Sequence, residues 1–404
     1  MRVTRRVLSL LVLAAAAFAQ APEHDRYGGW TKVKGQATGI FHVEQIEGRW
    51  WFITPEGNGF LSKGICHITW HTERPGSPPA VPTDPHAWAK QAAEELRGWN
   101  FNTAAAWSEP EFAEAGIAYT AVLDLAGGND PDALWLNGGV FDVFSPAFQT
   151  VLQDVARKRI GKLAKNPWLL GYFTDNELRW GPDWRTKEGL LQLYLKLPAD
   201  SAGHKTAAAF LADRLRGPET ATAKDQDDFL QLVAAEYGRL CFEAIRKYDD
   251  KHLILGCRFA GYAPEPVLRG VGKYFDVISY NNYSPTAPLD TLRHLTEVTG
   301  KPVMITEFSF KAMDSGLPNT KGAAKPVATQ RERADGFEKY VTELATLPGF
   351  LGYHWFQYWD QPEEGRAIDG ENSNYGVRKL DGTPWPLLTE RMKAVNGRLE
   401  RSRQ

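Results

Sequence analysis

The sequence predicts a (β/α)8 barrel. Two observations carry the prediction. Eight short apolar segments recur along the chain, with helix-start signals between several of them. No glycine-rich phosphate loop follows an early segment, as it normally would in an open, doubly wound sheet.

The elements follow in chain order. Residues 1–21, MRVTRRVLSLLVLAAAAFAQA, have a basic front in Arg2, Arg5 and Arg6, a twelve-residue apolar run and small-x-small cleavage positions, which reads as a secretory signal peptide. The run is too short to span a bilayer as an anchor. The mature chain, 22–404, is expected to be one exported catalytic domain, secreted or periplasmic, with no membrane anchor. Residues 30–59 read as a β-hairpin capping the barrel floor, with turns at Glu47-Gly48 and at Pro55-Glu56-Gly57-Asn58-Gly59.

The strand segments are 60–65, 103–107, 119–123, 169–174, 253–257, 277–280, 303–306 and 351–356, each apolar enough to be covered on both faces. Asp84-Pro85 opens a helix to about residue 99, pairing an N-cap with proline in the first turn. Ser145-Pro146 opens another to about 164, and Thr329, with Glu332 three residues on, opens one through Tyr340. Residues 181–225 extend the loop after the fourth strand and include helical pieces. Residues 314–327 form a long loop after the seventh, of a length that is usually functional.

Composition limits what such a barrel can do. Of 404 residues 43% are hydrophobic and 24% charged, which excludes a disordered chain. A formal net charge of -2 gives no basic excess for a phosphate backbone, so nucleic acid is not expected as a partner. Three cysteines, Cys66, Cys241 and Cys257, are too few and too odd for a disulfide framework and read as buried small hydrophobes. With 14 Trp, 14 Tyr and 20 Phe the chain can bury many rings and still line a cleft for flat apolar faces, of which sugar rings are one kind.

Active residues of such barrels come from the C-terminal strand ends. His67 follows strand one, Trp107 ends strand two, Asp124 strand three and Arg258 strand five. Strand four ends in Asp175, Asn176 and Glu177. Strand six ends in Tyr280, Asn281, Asn282 and Tyr283, strand seven in Glu307, and strand eight in His354, Trp355, Gln357, Trp359 and Asp360. Two glutamates on strands four and seven face each other across the mouth. Glycoside hydrolysis needs such a pair, one protonated to donate to the leaving oxygen and one ionised, about 5–5.5 Å apart when configuration is retained.

Asn176-Glu177 after an apolar strand, with Glu307 ending strand seven, resembles the clan of retaining (β/α)8 glycoside hydrolases, clan A. The segments GYFTDNELRWG, TEFSFKAMDSG, PVATQRERADGFEKYV and HWFQYWDQPEEGRAIDGENSNYG resemble glycoside hydrolase family 50, the β-agarases. The similarity covers about residues 40 to 385. It implies Glu177 as acid/base, Glu307 as nucleophile and a β-linked galactan-type poly- or oligosaccharide as substrate. Ser309 departs from the family pattern, where a histidine is expected. A β-galactosidase or β-glucanase on the same barrel, or a carbohydrate-binding barrel without catalysis, are the alternatives.

Among the surrounding residues, Asn176 is expected to bond the sugar 2-hydroxyl. His67, Trp107, Asn282, Tyr283, Trp355 and Trp359 are further candidates for substrate contact, with Trp355 the platform beneath the cleaved sugar. Asp175, Arg258, Tyr280 and His354 are candidates for support, and either Tyr280 or Tyr283 is expected to hold the nucleophile. No H-E-x-x-H or similar ligand spacing occurs, so neither metal nor cofactor is expected. Oligomeric state is not legible.

Overall fold

The computed structural model describes residues 23–76, 81–126, 141–182 and 187–403. The signal-peptide reading of 1–21 lies outside them. The chain begins with four antiparallel strands, β1 (Trp30–Lys34), β2 (His42–Ile46), β3 (Arg49–Ile53) and β4 (Asn58–Phe60), in the order β1-β4-β3-β2. Residues 30–59 therefore make a four-stranded sheet, where a hairpin was expected. The added pair arises because β4, after the turn that follows β3, lies between β3 and β1 and pairs with both.

The main sheet is parallel and strongly curled. Its strands are β5 (Ser62–Ile65), β6 (Thr103–Ala104), β7 (Ala118–Val122), β8 (Leu169–Phe173), β9 (Leu253–Gly256), β10 (Phe259–Ala260), β11 (Ile278–Asn281), β12 (Val303–Phe308) and β15 (Phe350–Trp355). Two short strands, β13 (Lys311–Ala312) and β14 (Pro326–Val327), pair separately. The nine-strand order is β10-β11-β12-β15-β5-β6-β7-β8-β9. Its two edges are β9, which lies within the predicted fifth strand, and β10, which follows it in sequence, parted from it only by Cys257 and Arg258. Asp276 N also donates to Ile254 O at 2.9 Å, joining the approach to β11 to β9. Each of the eight predicted strand segments holds an observed strand. The second stops at Ala104 and the fifth is broken at Cys257.

Helices cover the outside of the sheet, and their starts follow the caps read from sequence. Asp84 Oδ1 accepts from Ala87 N at 2.9 Å ahead of Pro85–Gly98, Ser145 Oγ from Ala147 N ahead of Pro146–Ile160, and Thr329 Oγ1 from Glu332 N ahead of Gln330–Ala345. The long connection after β8 carries Leu190–Leu195 and Ala202–Ala212 before the 24-residue helix Ala223–Arg246.

Side chains alternate across the sheet, as strands require. Ile278, Tyr280, Val303, Ile305, Phe308, Tyr353 and Trp355 pack outward against the helices. Leu170, Leu253, Leu255, Val277, Met304 and Leu351 point inward and form a layer with Phe41, Phe52 and Phe60 of the antiparallel sheet. Above that layer Ser62 Oγ bridges Thr103 Oγ1 and His354 Nε2, each at 2.9 Å. Higher still lie Cys66, Ala105, Ala106, Phe356 and Tyr375. The antiparallel sheet is fastened below by Arg403, which donates to Phe350 O at 2.8 Å and Trp50 O at 3.1 Å with its guanidinium over Trp51. Among the described residues no helix is long and apolar enough to cross a membrane.

Candidate active site

The C-terminal ends of the parallel strands bring two carboxylates into one hydrogen-bonded network. Glu307 ends β12, and a register shift turns it inward. Tyr280 pairs with Ile305, but the next residue, Asn281, pairs with Glu307, so Thr306 is passed over. Strict alternation would place Glu307 outward beside Ile305. The bulge lets Thr306 and Glu307 share the inner face, while Phe308 packs outward on Tyr340.

Glu307 is 5% exposed and held at both oxygens. Arg258 Nη2 donates to Oε1 at 2.6 Å and the Tyr283 hydroxyl to Oε2 at 2.6 Å. Burial works against the Arg258 charge, but the Glu307 carboxylate outweighs it and the guanidinium pKa is raised. Burial, and then Glu307, push the Tyr283 phenol well above its ordinary value, so it stays a donor.

The same guanidinium reaches the second carboxylate's neighbour. Arg258 Nε donates to Asn176 Oδ1 at 2.9 Å. Asn281 Nδ2 donates to Asn176 Oδ1 at 3.2 Å and to Glu177 Oε1 at 2.9 Å, and its own oxygen accepts from Thr306 Oγ1 at 2.7 Å. With its oxygen thus doubly engaged, Asn176 keeps its amide N–H groups for a partner outside the network. Asp175 sits behind, taking Ala126 N at 2.7 Å and the Tyr237 hydroxyl at 2.5 Å. It ties Glu177's loop to the loop after β7 and to the helix Ala223–Arg246.

Backbone geometry marks the same rim. His67, Trp107, Asp124, Glu177 and Arg258 have φ of 53°, 59°, 50°, 50° and 54°. Each lies just beyond one of five successive strands, β5 to β9. Left-handed φ costs a non-glycine residue about 1–2 kcal/mol, and such residues gather where a site demands their side chains. The ladder beyond the strands holds them: His67 N donates to Ala106 O and Glu177 N to Arg258 O.

Aromatic rings line the wall beside Arg258. The guanidinium lies 4.5 Å from the Trp107 ring centroid, His67 lies tilted against Trp107 at 4.8 Å, and Phe356 meets His67 edge-on at 5.3 Å. Burial pushes the His67 pKa down to about 4, so the ring is neutral. Beyond it Glu73 pairs with Arg366, which also holds Asp369 and Glu371. Burial raises the Glu371 pKa despite Arg366.

Several sequence-derived assignments change. Trp355 is fully buried on the helix side, with Nε1 donating to Tyr375 O and its ring against Phe308 and Phe337, so it is no platform. It shares the outward parity of Tyr353, and the inward aromatic is Phe356, which follows it through a cis peptide to Gln357. Tyr280 faces outward for the same reason, which leaves Tyr283 as the strand-six tyrosine that holds Glu307. Asn282 turns away and accepts the Tyr340 hydroxyl at 2.9 Å. Trp359 donates to Thr69 O at 2.8 Å, joining two loops rather than the carboxylate network. His354 is buried below the site, with Nε2 2.9 Å from Ser62 Oγ.

Asn281, Phe356 and Arg366 were missed as site residues. Period-two counting forward from an inward Val277 would have found Asn281, whereas nothing local announces Arg366. No group of three or more metal-ligating side chains occurs among the described residues. A carboxylate fixed by a guanidinium and a phenol, facing a carboxylate that accepts from a neutral amide, can serve as nucleophile and proton donor at one acetal carbon.

No family model matches the chain. It is 27% identical to beta-agarase B of Vibrio sp. (strain JT0107), an alignment that takes in 96% of this chain and 51% of that protein. Beta-agarase A of the same strain is also 27% identical, over 76% of this chain and 36% of the relative. The chain thus spans about half the length of the first of these curated relatives and about a third of the second. Among solved structures, the agarase AgWH50C superposes with a TM-score of 0.81 at 27% identity, covering 95% of this chain and 67% of that one.

Proposed function

We propose that the chain is a glycoside hydrolase of the agarase type, of family 50 and clan A. In this reading the curled sheet acts as a closed (β/α)8 barrel and the antiparallel sheet forms its floor. Exported on the 1–21 signal, it cleaves β-linked galactan chains or oligomers with retention of configuration. The observation that carries the reading is the linked pair: Glu307 clamped by Arg258 and Tyr283, and Glu177 joined to the same guanidinium through Asn176 and Asn281. Similarity to the two Vibrio agarases and to AgWH50C supports the substrate class.

In the first step Glu177 protonates the glycosidic oxygen as Glu307 attacks the anomeric carbon, giving a β-to-α inversion and a covalent ester. Water, deprotonated by Glu177, then displaces Glu307 and restores the β configuration. Asn176 supplies its free amide to the 2-hydroxyl, a bond that tightens in the transition state. Neutral His67, Trp107 and Phe356 give the sugar a dry, flat wall. No metal enters this scheme.

Proton NMR of the earliest agarose-oligosaccharide product is the test. The β anomer is expected first; an α anomer would overturn retention. Glu307→Gly should abolish turnover, with azide restoring part of it as the α-glycosyl azide. Full activity in that variant would remove Glu307 from the chemistry.

A further inference from the structure

Among the described residues the Phe, Tyr and Trp rings are buried or half-buried with one exception. Among the described Phe, Tyr and Trp residues Tyr262 is the most exposed, at 58%. A lone exposed ring means little by itself, but this one stands at a particular place. It lies in the loop between β10 and the helix Glu265–Val271, at the C-terminal end of the parallel strands, where the carboxylates also lie.

Its neighbours tie that loop to one carboxylate. Arg258 O, four residues before it, accepts from Glu177 N at 3.1 Å. Gly261 N, immediately before it, donates to Asn281 O at 2.9 Å, and Asn281 Nδ2 donates to Glu177 Oε1. The segment 258–262 therefore runs from the Glu177 backbone to the residue that holds the Glu177 side chain. Gly261 turns with φ +67°, Ala260 pairs with Asn281 in the sheet, and Pro264 caps the next helix. The ring stands on a fixed base.

We propose that Tyr262 is a stacking platform for the first sugar on the leaving-group side of the cleaved bond. The inference rests on the reading above. If Glu177 protonates the leaving oxygen, the leaving sugar extends over the Glu177 side of the mouth, where Tyr262 presents the only exposed Phe, Tyr or Trp ring among the described residues. A sugar's apolar face against an aromatic ring gains dispersion and desolvation energy without directional bonds. Ring loss should therefore weaken binding on that side and leave the reacting centre intact.

The experiment compares two substrates with the same glycone. One is a soluble agarose-derived hexasaccharide. The other is the corresponding β-glycosyl fluoride, whose leaving group has no ring to stack. Tyr262→Ala is expected to lower kcat/KM on the hexasaccharide five- to tenfold, chiefly through KM, and to leave the fluoride within twofold. Tyr262→Phe should behave as wild type on both. Equal hexasaccharide kinetics in Tyr262→Ala would overturn the platform. Equal losses on both substrates would make the ring structural and overturn it too. A wild-type protein that cleaves neither substrate would instead overturn the parent reading, and the platform with it.

Discussion

Replacing Arg258 by lysine separates charge from geometry. The guanidinium serves two acceptors from different nitrogens, Glu307 at 2.6 Å and Asn176 at 2.9 Å. An ammonium at the end of a flexible stem keeps the positive charge but cannot fork across both. Lysine pays the same left-handed backbone cost at φ 54°, so that term cancels. A hydrogen bond involving a charged group is worth about 1.5–3 kcal/mol. Losing the one to Asn176 should therefore cost about ten- to a hundredfold in kcat/KM, since each 1.4 kcal/mol is about tenfold. Thermal stability should fall far less than in Arg258→Met, where an unpaired buried Glu307 would cost about 3–5 kcal/mol. The assay is steady-state kinetics on an agarose oligosaccharide for Arg258→Lys, Asn176→Ala and the double variant. If the two residues act through one bond, the double variant should be little worse than the poorer single one. Losses that multiply, or an Arg258→Lys within twofold of wild type, would refute the linkage.

Glu177→Ala should retain most activity on glycosides of activated phenols and lose far more on oligosaccharides, because only a poor leaving group needs a proton; equal losses on both would make Glu177 structural. Gly64→Ala would place a Cβ 2.6 Å from His354 Cδ2 and 3.2 Å from Ala105 Cβ on the inner face of the curled sheet, so urea denaturation should show about 1–3 kcal/mol of lost stability at unchanged slope, and an unshifted midpoint would contradict that packing. His67, held near 4 by burial, stays neutral in the folded chain while the unfolded chain gains a proton as pH falls below 6.5. Its contribution is full above pH 6.5 and is lost on the way down to 4. The stability drop between pH 7 and pH 4.5 should accordingly be smaller in His67→Gln, and an identical drop in both proteins would refute the assignment.

Much of this arrangement is legible in the sequence because strand ends combine two readable signals. An apolar run fixes where a strand lies, and a carboxylate directly after it, as in VMITEF or GYFTDNE, has few structural reasons to be there. That places Glu177 and Glu307. The bulge at Thr306 is not legible, since it depends on the register of β11 against β12, yet it decides whether Glu307 faces the site at all. Trp355 shows the complementary failure. A large ring near a strand end suggested a platform, but the parity set by Tyr353 sends it to the helix layer. Strand six offered two tyrosines, and only the path of the chain after Asn281 brings the second back to Glu307. The four-stranded antiparallel sheet was half seen, because each turn was visible and the pairing of β4 with β1 was not.

The run of left-handed residues past β5 to β9 bears on how this protein can be improved. Five positions in succession hold side chains where glycine would be more comfortable, and four of them, His67, Trp107, Glu177 and Arg258, face or support the site. A selection for heat tolerance alone would favour glycine or asparagine there and would erode turnover as it succeeded. Asp124 is the exception, since its carboxylate meets Arg159 near the surface at 2.8 Å. Of the five, it is where a thermostability library has room to work, and the other four are best held constant while the helices and floor are varied.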